Sequence, residues 1–218
     1  MPYFLDSNVI IGYIFDNADS LGKYAKVVMD CDEEKHSGQT VKNECFGLHA
    51  NGRCLTVKRK ITGEFRKIIA ALMNGSMLNE IINQMEGRNC RTYYIIKDLA
   101  ETYNGDLISL VEVLRASQLD FEGGCLARQD TVDAIVIFHN RNLPYREIYD
   151  ILEKSIDDID DIEVILDAHH IGLEISNLVL VSGNYWDITA FGGLIRRVTS
   201  IAEVKSLTSF AVVDGDKS

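Results

Sequence analysis

Leu178-Val179-Leu180-Val181-Ser182-Gly183-Asn184 is a continuous apolar run closed by a hydroxyl, a glycine and an amide. Four apolar residues without polar alternation predict a strand buried on both faces, the pattern of a parallel sheet. Ser182-Gly183-Asn184 predicts a turn at its carboxyl end. The start of the chain repeats the device, with Tyr3-Phe4-Leu5 closed by Asp6-Ser7-Asn8. Behind it, Val9-Ile10-Ile11-Gly12-Tyr13-Ile14-Phe15 reads as a helix that Asp6 or Ser7 can cap. Ligands of an open parallel sheet bind beyond the carboxyl ends of its strands, where both polar sets would lie. Asp187, three residues past Asn184, belongs to the same loop.

Outward from these two runs the pattern is mainly helical. Asp160 or Asp161 caps a helix over Ile162 to Ile171, which Gly172 ends. A second N-terminal helix is expected from Ser20 to Met29, then a polar turn at Cys31 to Lys35, then a helix capped by Thr40 and running through Glu44 to about His49. Asn51-Gly52 breaks the pattern. From there Val57, Ile61, Phe65, Ile68, Ile69 and Leu72 fall at helical spacing, with Lys58, Arg59, Lys60, Arg66 and Lys67 on the remaining face. Further helices are expected over Met77 to Met85, Thr92 to Thr102, Asp106 to Leu119, Thr131 to Asn140 and Tyr145 to Ile156, so the middle of the chain reads as a helical block without a strand. A short helix near Trp186 to Arg197, an edge strand around Ile201 to Leu207 and a frayed tail from Asp214 to Ser218 complete the reading. There is no internal repeat and no low-complexity segment.

Composition narrows the class. The 218 residues carry 33 acidic and 22 basic side chains, a net charge of −11, with 46% hydrophobic and 25% charged residues. Those proportions exclude disorder, a collagen and a coiled-coil rod. The only prolines are Pro2 and Pro144, and no apolar stretch approaches the roughly 18 residues of a membrane span. A soluble, mostly helical, cytoplasmic protein without a membrane partner is expected, and Met1 to Asp6 does not resemble a signal peptide. Cys31, Cys45, Cys54, Cys90 and Cys125 are odd in number and hold no C-x-x-C pair, so they read as reduced core thiols rather than a disulfide framework or zinc site. The negative net charge argues against a general nucleic-acid coat protein but not against an enzyme whose acids hold metal ions. Between Arg53 and Lys67 six basic residues face Glu64 alone, a local charge of +5.

Four segments, in order, resemble the PIN-domain nucleases. Phe4-Leu5-Asp6-Ser7-Asn8-Val9-Ile10-Ile11 is similar to that family's opening strand, in which an aspartate precedes a small hydroxyl residue and an asparagine. Thr40-Val41-Lys42-Asn43-Glu44 resembles the segment that brings the second acid on a helix. Asp161-Ile162-Glu163-Val164-Ile165-Leu166-Asp167-Ala168 resembles the helix that opens with the third acid. Leu180-Val181-Ser182-Gly183-Asn184-Tyr185-Trp186-Asp187-Ile188 is similar to the final motif, a hydroxyl residue after the strand and an aspartate soon after. The resemblance covers roughly residues 1–50 and 155–205. The chain departs from the family in the long stretch between Glu44 and Asp161 and in Asn184, an aspartate in many relatives.

The resemblance implies a three-layer α/β PIN-like fold with a central, mainly parallel sheet flanked by helices. Its nuclease core would be discontinuous, residues 1–50 and 151–210, with 51–150 as a helical insertion or elaboration. It implies an endoribonuclease dependent on Mg²⁺ or Mn²⁺, with Asp6, Glu44, Asp161 and Asp187 holding the ions and Asn8, Ser182 and Asn184 orienting them or the scissile phosphate. An RNA substrate follows from it, and a toxin role like that of VapC-type proteins, with a small antitoxin partner and a homodimer. The physical logic is that hard divalent ions take oxygen ligands, and a pair roughly 4 Å apart stabilises both the attacking and the leaving oxygen of a phosphodiester. Without metal, four clustered acids repel one another and raise their own pKa values.

Several residues admit plainer readings. Asp6, Thr40 and Asp161 stand where helix caps are expected, and in the run Asp157-Asp158-Ile159-Asp160-Asp161 a slip of one residue exchanges Asp160 for Asp161 as third acid. Asp133 imitates the third-acid helix, but no buried strand and hydroxyl turn follow it. Asp167 is expected on the surface or as a support to the site, and His169 and His170 as structural, since adjacent helix residues point to different sides. The basic helix is either an RNA-phosphate contact or a solvated face. Two rival functions are a catalytically silent PIN-like module binding RNA or protein, and a phosphatase with Asp6 as nucleophile, as in haloacid-dehalogenase-like enzymes. The latter wants an aspartate where Asn8 stands.

Overall fold

The computed structural model describes residues 1–47, 52–86, 91–103 and 105–210. The expected helix end near His49, Asn51 as a breaker, Cys90 and the frayed tail 214–218 lie outside the described residues. Five strands, β1 (Tyr3–Leu5), β2 (Lys35–Gly38), β3 (Val136–His139), β4 (Val179–Ser182) and β5 (Glu203–Ser206), form one sheet in the order β3-β2-β1-β4-β5, with every neighbouring pair parallel. The helices are α1 (Ser7–Phe15), α2 (Gly22–Asp30), α3 (Gln39–Phe46), α4 (Arg53–Met73), α5 (Leu78–Met85), α6 (Tyr93–Thr102), α7 (Leu107–Ile135), α8 (Arg146–Leu152), α9 (Ile159–Gly172) and α10 (Gly192–Val198). They flank the sheet in a three-layer α/β arrangement with additional helices. Among the described residues no helix is long and apolar enough to cross a membrane.

The two apolar runs form the centre of the sheet. Leu5 of β1 lies opposite Val181 of β4, and Phe4, Leu5, Val179, Leu180 and Val181 have no exposed surface. Around them α1 packs on α2 and α7, while α9 packs on β2 and α3. The helical block shares this core: Ile61, Phe65 and Leu72 of α4 and Leu114 and Val132 of α7 belong to the same buried cluster as the strands. The face of α4 opposite them carries the exposed Arg59, Lys60, Arg66 and Lys67.

Two strands replace structure that the sequence pattern assigned differently. The expected polar turn at Cys31 to Lys35 gives way at Lys35 to β2, whose residues Lys35-His36-Ser37-Gly38 are all buried without one apolar side chain. Most of their polar groups find partners: Lys35 Nζ donates to the carbonyls of Cys31 (2.6 Å) and Glu33 (2.9 Å), Ser37 Oγ donates to that of Leu5 (2.8 Å), and His36 Nδ1 lies 3.0 Å from His139 Nε2, while the buried His36 Nε2 has no hydrogen-bond partner. Gly38 ends the strand where a Cβ would lie 2.2 Å from Oδ2 of Asp167, so only glycine fits. The expected helix over Thr131 to Asn140 stops at Ile135, because Val136-Ile137-Phe138, β-branched and aromatic, pairs with β2 as β3. Its first turns merge with the expected Asp106-to-Leu119 helix into the 29-residue α7.

The caps also shift. Asp6 caps α1 as expected, accepting from Ser7 N at 2.5 Å. Thr40 is not a cap: α3 starts one residue earlier behind Gly38, and the Thr40 amide donates to Asp167 at 3.1 Å. Neither Asp160 nor Asp161 caps α9, because Asp158 does so by accepting from Asp160 N at 2.9 Å. Several neighbouring carboxylates can cap the same helix, so sequence could not choose among them. After β4 the expected helix is a turn, a short 3-10 segment at Thr189–Phe191, and then α10. The cysteines Cys45, Cys54 and Cys125 are buried and Cys31 half-buried, all four as free thiols.

Candidate functional site

The strand order reverses between β1 and β4: the chain first builds outward through β2 and β3, then returns to the other side of β1 with β4 and β5. Such a switch point opens a crevice at the carboxyl ends of the two central strands. Asp6 leaves β1 there, its amide extending the ladder to Val181 O at 3.1 Å. Its carboxylate is buried, with Oδ2 receiving Asn8 Nδ2 at 2.8 Å and Ser182 Oγ at 2.6 Å. Asn8 Oδ1 in turn accepts Gly183 N at 2.6 Å, closing the β4 turn onto α1.

The network continues through the loop after β4. The Ser182 hydroxyl, donating to Asp6, accepts Asn184 N at 2.9 Å. The Asn184 side-chain nitrogen bridges two carboxylates, donating to Asp161 Oδ2 at 2.7 Å and Asp187 Oδ2 at 3.3 Å, while its oxygen accepts Asp187 N at 3.2 Å. Asp161 reaches this position from the first turn of α9, whereas Asp160 beside it is exposed and bonds only within the cap. Asp133 is exposed on α7. Glu44, on α3, is ion-paired with Arg53 at the start of α4. The neighbouring Cys45 rests its thiol on the Ser7 carbonyl, which holds this end of α3 against the start of α1.

Electrostatics couple the four acids. Burial first, then the charges of Asp6, Asp158, Asp187 and Glu44, push the Asp161 carboxyl up to about 7. Burial also raises Asp6, with Glu44 adding to it and the Ser182, Ser7 and Asn8 hydrogen bonds opposing. Burial weakens the Arg53 guanidinium as an acid-base group, but its hydrogen bond and attraction to Glu44 outweigh this and hold it above its ordinary value. Among the described residues no three His, Cys, Asp or Glu side chains stand close enough to form a metal-ligand group. The donor chemistry nevertheless suits a hard divalent cation: every charged donor is a carboxylate, and the repulsion that adds to burial in raising Asp161 is what such a cation relieves.

The remaining candidates have structural places. Asp167 is buried rather than on the surface: Arg141 Nε donates to it at 2.8 Å and the Thr40 amide caps its other oxygen, so it ties α9 to the start of α3. His169 bonds Ser200 (Nδ1 to Oγ 3.1 Å), and His170 Nδ1 lies 2.6 Å from the Tyr145 hydroxyl. Two residues at the site had no role in the sequence reading. Asp158 caps α9 and adds to the field on Asp161, and Arg53 neutralises Glu44. The signal for Arg53 was its place at the head of the basic stretch, but nothing in the sequence set it against Glu44. Comparison with protein-family models, with curated proteins and with solved structures finds no match to this chain.

Proposed function

We propose that the protein is a cytoplasmic endoribonuclease of PIN-like type, hydrolysing RNA phosphodiester bonds with Mg²⁺ or Mn²⁺ at the acidic crevice. The observation that carries the reading is the single Asn184 amide bridging Asp161 and Asp187, joined through Ser182 to Asp6. Carboxylates from α9, the β4 loop and the end of β1 are thereby bound into one network at the sheet's switch point. Asp6, Asp161, Asp187 and Glu44 are the residues that would hold the ion. When bound, the ion supplies Lewis-acid polarisation of a phosphoryl oxygen and acidifies a water.

The chain's own groups do the positioning. Asn8 and Ser182 fix the Asp6 carboxylate in one orientation, and Ser7 N at the start of α1 offers it a helix N-terminus. Asn184 orients Asp161 and Asp187 and supplies no charge of its own. Support for a polyanionic substrate comes from α4, which begins with Arg53 at the site and carries exposed basic residues along an otherwise acidic protein. Asn8 does not suit the phosphatase alternative, since an amide engaged with Asp6 and Gly183 N cannot replace that mechanism's second acid.

The test is incubation of the purified chain and its Asp6→Asn variant with single-stranded and structured RNA in Mg²⁺, Mn²⁺ or EDTA, with the products resolved. Cleavage that needs the ion and disappears in the variant is expected. RNA left intact under every condition, or cleavage undiminished by Asp6→Asn, ends the assignment.

A further inference from the structure

Between Asn184 and Asp187, whose side chains turn inward to the acidic network, stand Tyr185 and Trp186, whose side chains turn outward. Trp186, the only tryptophan of the chain, is 77% exposed and Tyr185 is 56% exposed. Single exposed apolar residues are ordinary on a protein surface. This pair differs in being adjacent, packed edge to face with ring centroids 5.2 Å apart, and anchored on both sides. Thr189 N donates to Asn184 O at 3.0 Å and Ala190 N to Tyr185 O at 2.7 Å, so the backbone that presents the rings is tied to the turn that presents Asp187. Aromatic rings held this way lose little freedom when a flat ligand stacks on them.

We infer that Tyr185 and Trp186 form a stacking subsite for an unpaired nucleobase next to the phosphodiester held at the acidic crevice. The inference rests on the ribonuclease reading and names its substrate class, a single-stranded segment. Trp186 immediately precedes Asp187, so the stacking face and the acid network are presented by neighbouring residues of one turn, as a base and its phosphate are parts of one nucleotide. Every base has a stackable face, so the subsite accepts any sequence but rejects a duplex, whose bases are stacked on one another. Stacking also supplies attraction that does not depend on charge, which a chain of net charge −11 needs in order to hold a polyanion close to its acids.

Trp186 is its own reporter. Single-stranded RNA and a duplex of the same sequence, each end-labelled, are titrated into the protein in EDTA at low salt while label anisotropy and tryptophan emission are followed. The single strand should quench the emission with the same midpoint as the anisotropy rise, and the duplex should not. Trp186→Ala should weaken single-strand binding about 5- to 150-fold with an unchanged melting temperature, and Trp186→Phe should restore most of it. An anisotropy rise without any change in emission, or binding equal in the alanine variant, overturns the subsite and leaves the nuclease reading standing. Silence of both signals, as expected if the rings seat a protein instead, also overturns it. Quenching and the alanine effect without metal-dependent cleavage keep the subsite and overturn the nuclease.

Discussion

The Ser182 hydroxyl donates to Oδ2 of Asp6 at 2.6 Å, a bond between residues 176 positions apart that joins the carboxyl ends of the two central strands. It is buried at both ends and opposes the burial that raises the Asp6 carboxyl. Ser182 thus does for Asp6 what Asn184 does for Asp161 and Asp187: it holds a carboxylate in place with a neutral donor.

Ser182→Ala should therefore cost about 1–3 kcal/mol in stability, the penalty for leaving a buried carboxyl short of a partner. It should also weaken Mn²⁺ binding, because an Asp6 that is harder to ionise is a poorer ligand. Urea unfolding and calorimetric titration with Mn²⁺ check the two effects. An alanine variant as stable as the parent, with the same affinity, would mean that the bond does not organise the site.

The pH dependence follows from opposite shifts. Asp161 has its folded pKa raised to about 7 from an unfolded value near 3.9, so between those limits the folded state binds more protons than the unfolded one. Its contribution to stability is present below about pH 4 and is lost as pH rises toward 7. His36 acts in the other sense: burial and the nearby His139 lower its pKa, so its contribution is present above about pH 6.5 and is lost as pH falls. Comparing the protein with Asp161→Asn cancels the histidine effect. Measured without metal, the variant should gain stability relative to the parent from pH 5 to pH 7.5, and saturating Mg²⁺ should remove most of that difference. A pH-independent difference would show that Asp161 ionises normally.

How much of this was legible follows from the kind of signal each part leaves. β1 and β4 announce themselves, because strands buried on both faces need unbroken apolar runs, and the residues that follow them mark the crevice. β2 leaves no such mark: Lys35 and Ser37 are buried through hydrogen bonds to the preceding turn and to β1, and His36 against His139 of β3, contacts that exist only once those segments are in place. β3 was hidden because Val136-Ile137-Phe138 continues the apolar spacing of α7, and only pairing with β2 converts it to a strand. In the site, the choice of Asp161 over Asp160 needed the Asn184 contact, since both lie in the first turn of α9. Of the two places expected for Asp167, the surface one fails for the same reason as β2: its partner Arg141 is 26 residues away and no local pattern points to it.

On the proposed function, Arg53 and the metal ion would compete for Glu44. The guanidinium pairs with that carboxylate, and both side chains keep contact with solvent, 54% and 26% exposed, so either can turn away. An exposed pair contributes at most about 1 kcal/mol, and Arg53→Gln should move the unfolding midpoint no further than that. Removing the cation leaves Glu44 free and strengthens the field of the acids on an incoming ion, so Mn²⁺ affinity should rise by about threefold to tenfold. RNA binding should weaken in the same variant, because the charge at the head of α4 is gone while the exposed basic residues further along it remain. Calorimetry with Mn²⁺ and anisotropy with labelled RNA separate the two effects. Affinity for the ion that stays level or falls would place Glu44 outside the metal's reach, and the acids that hold it would then be Asp6, Asp161 and Asp187 alone.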